Sequence, residues 1–79
     1  MKVDSVRHLV ENYTVDQLVE AEKALVNGKE LSFEVAGEDA GEKLTNLLAA
    51  VYILEQLKSR TLEFSEAFRQ YILQVREPF

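Results

Sequence analysis

No cysteine occurs among the 79 residues. Neither a disulfide nor a thiolate metal site can brace the chain, and the absence fits a reducing cytoplasm. One proline and three glycines leave no Pro/Gly-rich linker at which a second domain would begin. A long apolar run is also missing. The longest, Leu47 to Leu54, has eight residues, where a membrane-spanning helix needs about 20. Near the amino end Asp4, Arg7, His8 and Glu11 interrupt the apolar core that a secretion signal requires. Basic charge is scarce: nine Lys and Arg stand against fourteen Asp and Glu, for a net charge of −5. Nucleic-acid binding draws much of its affinity from Lys and Arg contacts to phosphate, and an acidic chain with no basic cluster argues against it. Anionic membrane surfaces are disfavoured on the same ground. These absences lead to one soluble, cytoplasmic domain spanning 1–79. A chain of this size buries only about 60% of its unfolded surface, so its stability rests on helix packing or on a second chain.

What is present is helical periodicity. The spacing predicts an all-α fold, a small bundle of about four helices with one extended segment near 30–36. The first helix covers about 4–12, with Asp4 or Ser5 as cap and Val6, Leu9 and Val10 on one stripe. The second, 15–27, opens on Tyr13-Thr14-Val15-Asp16-Gln17-Leu18, in which Thr14 and Gln17 have the spacing of a capping box and Tyr13 and Leu18 that of a hydrophobic staple. It turns Val15, Leu18, Val19, Leu25 and Val26 inward and ends at Asn27-Gly28, where glycine suits a left-handed residue. Leu31, Phe33 and Val35 then alternate with Ser32 and Glu34. That is the period of a half-buried strand, read either as a connector pinning Phe33 and Val35 on the core or as a strand paired across a dimer. Asp39 and Glu42 repeat the capping-box spacing before a third helix, 40–58. The fourth, 65–76, carries Phe64, Phe68, Tyr71, Ile72 and Val75 at three- and four-residue intervals, with Ser65 or Thr61 as cap and Glu77-Pro78 as terminator.

The third helix is polar at both ends and apolar on every side between Leu47 and Leu54. At about 100° per residue, eight consecutive residues go round the axis twice. Such a segment needs cover on every face, and three short neighbours are expected to leave one face open. Ala49, Ala50, Tyr52 and Ile53 are the candidate interface, with the two alanines allowing close helix–helix approach across a two-fold axis. The competing reading wraps this helix wholly within one chain.

Groups that carry chemistry are sparse. His8 is the one histidine, and with Glu11 at i, i+3 it makes at most a generic two-ligand metal site. Glu34, Glu38, Asp39 and Glu42 lack the ligand spacing of a calcium loop. Gly37 and Gly41 flank a helix start without the lysine of a phosphate-binding loop. Phe64, Phe68 and Tyr71 at helical spacing belong to a core rather than to a base-stacking platform. Arg69 and Arg76 suit local pairs with Glu66 and Glu77, or ion pairs across an interface.

Gly41-Glu42-Lys43-Leu44-Thr45, Leu48-Ala49-Ala50, Glu66-Ala67-Phe68-Arg69 and Val75-Arg76, with the capped start at Tyr13-Thr14-Val15, resemble a group of small uncharacterised bacterial helical proteins. The similarity covers mainly Asp39 to Phe79 and implies no reaction, cofactor or functional residue.

The expectation is a non-enzymatic protein with no cofactor and no metal site. It acts as an interaction or scaffolding domain, partnered by itself as a homodimer or by another protein. Two alternatives stand beside it: an acidic regulator of the antitoxin or DNA-mimic kind that binds a basic partner, and a binder of small molecules or divalent cations.

Overall fold

The computed structural model of the chain describes residues 2–59 and 63–76. It contains four helices, α1 (Val3–Asn12), α2 (Val15–Val26), α3 (Ala40–Ser59) and α4 (Phe64–Arg76), and no strand among the described residues. The architecture is radial. α3 is the hub, and α1, α2 and α4 each pack against it.

Local chemistry accounts for most of the boundaries. Thr14 accepts a hydrogen bond from the Gln17 backbone N–H, and the Gln17 side chain accepts one from the Thr14 N–H, so the capping box is complete. Thr14→Ala is expected to lower stability by about 1 kcal/mol. For a domain of this size that is a drop of roughly 4–8 °C in the midpoint of thermal unfolding. An unchanged midpoint by circular dichroism would show that the cap contributes nothing. α2 ends at Gly28, whose φ of 70° is the left-handed conformation that glycine adopts without a Cβ penalty. At the start of α3 the Asp39 Oδ1 accepts from the Glu42 N–H at 2.8 Å.

Two boundary expectations and one about burial need correcting. α1 begins at Val3 from an N-cap at Lys2 that makes no side-chain bond, so neither Asp4 nor Ser5 caps it. Asp4 lies inside the first turn instead, where its charge suits the positive helix end. α4 begins at Phe64, with the Glu63 carbonyl accepting from the Ala67 N–H, which places Ser65 inside the helix rather than at its cap. Thr61 lies outside the described residues. Val26 is 66% exposed rather than inward. The buried centre of α2 runs through Leu18 and Ala21, and Val26 lies in the last turn as the chain leaves for Gly28.

Residues 29–39 form the connector rather than a strand. The alternation still sorts the side chains: Val35 is buried, Leu31 and Phe33 are half-buried, and Ser32 and Glu34 face solvent. The Phe33 ring stacks on Tyr13 with centroids 3.9 Å apart. Farther along, the buried Asn46 of α3 donates from Nδ2 to the Ala36 carbonyl at 2.9 Å. Its Oδ1 has no hydrogen-bond partner among the described residues, a burial that costs about 1–3 kcal/mol.

The apolar segment of α3 is covered by its own chain. Leu47, Ala49, Ala50 and Ile53 are 0% exposed. Val51, Tyr52 and Leu54 are half-buried, and Leu48 alone is open, at 42%. The expected interface is thereby corrected at three of its four positions. α1 and α2 join α4 in wrapping the hub, so Ala49, Ala50 and Ile53 belong to the core and cannot meet another chain in this fold.

Candidate functional site

Tyr52, the remaining expected interface residue, is engaged within the chain. Its ring lies 5.5 Å from that of Tyr71, and its hydroxyl approaches the Gln74 Oε1 at 3.4 Å. Tyr52 marks the seam between α3 and α4, and Leu48 stands one helical turn before it. Burial in this seam raises the pKa of the Tyr71 phenol above its ordinary value.

α4 is the least covered element. Among its described side chains only Ala67 is buried. Phe64, Phe68, Tyr71 and Ile72 are half-buried, Leu73 is 53% exposed and Val75 is 42% exposed. Helical geometry explains the pattern. Ala67, Tyr71 and Gln74 repeat at i, i+4, i+7 and point toward α3, while Phe68, Ile72 and Val75 form the adjoining stripe. One edge of the apolar face meets the hub and the other is left to solvent, with Leu73 following Ile72 round the helix. A second support comes from α1, where the Arg7 guanidinium lies 4.4 Å from the centroid of the Phe64 ring. A partly exposed cation–π contact of this kind is worth about 0.5–1 kcal/mol.

Among the described residues the one ion pair is Glu20 with Lys23, 3.9 Å apart and exposed. The expected Glu66–Arg69 pair does not form; both side chains are exposed. Glu77, the expected mate of Arg76, lies outside the described residues.

Elsewhere the geometry offers less. His8 is exposed on α1, with the Asn12 amide 3.2 Å from its Nδ1, and no bond joins it to Glu11 among the described residues. An open cleft of about 280 Å³ beside it is lined by Asp4, Ser5, His8, Leu9 and Ala36. A wider groove of about 440 Å³ runs along the connector, with Leu31, Phe33 and Val35 forming its floor and Glu30, Glu34 and Lys43 its rim. No group of three or more His, Cys, Asp or Glu side chains among the described residues could hold a metal ion. The acidic residues Glu34, Glu38, Asp39 and Glu42 therefore form no such cluster. Asp39 and Glu42 are instead joined in the α3 cap.

Sequence reasoning missed the open edge of α4 because it judged that helix by its period alone. The signal was present in part: Leu73 breaks the apolar stripe and faces away from it. The buried Asn46 carried no signal, since its burial depends on the connector crossing it.

No helix among the described residues is long and apolar enough to cross a membrane. Neither a curated protein nor a solved structure matches the chain. A family model does, over residues 1–78, and the chain therefore belongs to the family of unknown function DUF6952.

Proposed function

We propose that this protein is a non-catalytic, cytoplasmic protein-interaction domain that docks through the open edge of α4. The observation that carries this reading is that α4 buries one side chain and leaves apolar surface open on two sides, Val75 with half-buried Phe68 and Ile72 on one and Leu73 on another. Single exposed apolar residues are ordinary on protein surfaces, but a helix that leaves nearly all of its apolar side chains partly or wholly uncovered is suited to contact with a partner. In a native extract the chain is expected to elute from gel filtration well above its 9.0 kDa monomer mass. The double variant Leu73→Glu/Val75→Glu should elute as a folded monomer. A wild-type chain that elutes from the extract as a monomer defeats this reading.

A second reading, an acidic regulator of a basic protein, is favoured by the connector groove, where Glu30 and Glu34 rim an apolar floor. It predicts a partner whose affinity falls steeply with salt. An affinity that stays level as salt rises rules it out.

A further inference from the structure

We infer that the connector groove takes a basic segment of a partner protein, with an apolar side chain seated on Leu31 and Phe33 and Arg or Lys residues beside Glu30 and Glu34. The inference rests on the second reading above, the acidic regulator, and adds the site and the chemistry of the segment it holds.

The first support is where the charge lies. Between 13 and 39 seven Asp and Glu stand against two Lys, so α2 and the connector hold the whole net charge of −5. Residues 1–12 and 40–79 each balance to zero. The stack of Tyr13 on Phe33 joins the start of α2 to the middle of the connector, so the two acidic elements adjoin at the groove. A one-sided field of this kind draws a cationic partner to that side and repels phosphate.

The second support is the groove itself. Its volume of about 440 Å³ lies within the roughly 300–1,000 Å³ of ligand sites, and it is open rather than enclosed, which suits a length of chain. Leu31 and Phe33 are half-buried on its floor. Phe33 is held by Tyr13, so its ring is in place before anything binds and little ordering is needed. Glu30 and Glu34 are exposed on the rim and make no ion pair among the described residues. Lys43 on the same rim offsets one of these charges, and exposed Glu38 follows along the connector. Arg suits both surfaces, since its guanidinium pairs with a carboxylate and stacks on an aromatic ring.

The two surfaces act differently. Exposed rim charges govern the rate and salt dependence of binding more than its strength, and the apolar floor supplies most of the affinity. A short segment on one groove is expected to bind with a dissociation constant on the order of 10–100 μM.

A short synthetic peptide of alternating Arg and Leu, titrated into the purified chain and followed by heteronuclear NMR, tests the site. The amide shifts should centre on 29–36 and Lys43, and shifts centred on α1 or α4 overturn the groove. Exchanging Leu for Ser in the peptide should raise the dissociation constant at least about tenfold; an unchanged value removes the apolar anchor. Glu30→Gln/Glu34→Gln should raise it about fivefold. Glu55→Gln/Glu66→Gln makes the same change in net charge and should leave it unaltered. All four positions are exposed, so both variants should keep the wild-type circular dichroism. Equal losses in the two variants overturn the site but leave the acidic-regulator reading standing, with net charge drawing the partner. No binding even at about 0.01 M salt removes both. Sedimentation of the chain alone tests the other occupant: a mass that rises with concentration in the wild type but not in Glu30→Gln/Glu34→Gln assigns the groove to a second copy and overturns the partner named here.

Discussion

Ile53→Glu is expected to leave the chain without a cooperative fold at neutral pH. Ile53 is among the largest fully buried side chains and sits on the hub helix among the residues of the core. Loss of a buried isoleucine costs about 2–5 kcal/mol through transfer and cavity terms. An ionised carboxylate placed in the same apolar volume costs several kcal/mol more, or takes up a proton instead. At 0.05–0.15 kcal/mol per residue, a chain of this length has a total stability of about 4–12 kcal/mol, so the combined loss consumes most or all of it. The sign of the pH dependence follows. Burial raises the folded-state pKa of the introduced carboxyl above its unfolded value, so the penalty from charge is absent in acid and grows as pH rises through the folded pKa. Relative to the wild type, the variant should therefore recover stability as pH falls. Thermal unfolding followed by circular dichroism checks this, and a sharp wild-type-like transition at neutral pH would show that Ile53 is not in the core. Leu73→Glu is the matched control. At an exposed position the same change should alter stability by no more than about 0.5 kcal/mol.

The second large effect is expected at Gly37, where substitution by alanine should cost about 3 kcal/mol. Two independent terms contribute. Its φ of 146° lies in a region that residues with a side chain rarely adopt, a strain of about 1–3 kcal/mol. A Cβ at this position would also stand 2.9 Å from the Lys43 backbone nitrogen and 2.8 Å from the Lys43 Cγ. The side chain can swing aside, but the backbone nitrogen is held in the first turns of α3, where it donates to the Asp39 carbonyl. Relief requires the connector to lift from the helix, which pulls against the Asn46–Ala36 hydrogen bond next to it and adds an overpacking cost of about 1–3 kcal/mol. Gly28→Ala isolates the conformational term, because φ there is 70° and nothing lies within 4 Å of the added carbon. Its cost should be about 1 kcal/mol. Equal losses at the two glycines in a denaturant titration would refute the close approach of the connector to α3.

Gly37 shows how far the local pattern reaches. Its neighbours in sequence suggest only a turn before a helix, and the requirement for glycine comes from Lys43, six residues on, packed beneath it. Asn46 is similar. A helix position between Thr45 and Leu47 reads as polar and open, and it is buried because Ala36 crosses over it. By contrast Thr14 and Gln17 meet within three residues, so their bond could be read directly from spacing. The same holds for Gly28, for the stripe Val6, Leu9 and Val10, and for the alternation of Leu31, Phe33 and Val35.

Helix number and type, the α2 cap, the turn at Gly28 and the extended connector were thus determined by the sequence alone, because each depends on interactions within one or two turns of chain. Which face of α3 lies open was decided only by the tertiary structure. An apolar circumference carries no direction, so the pattern from Leu47 to Leu54 could not indicate which sides would be covered. Three helices arranged around one hub cover nearly all of it and bury Ala49, Ala50 and Ile53. The same arrangement leaves α4 with α3 as its main neighbour and, at Phe64, the Arg7 side chain of α1, and so much of the uncovered apolar surface lies on the last helix rather than on the most apolar one.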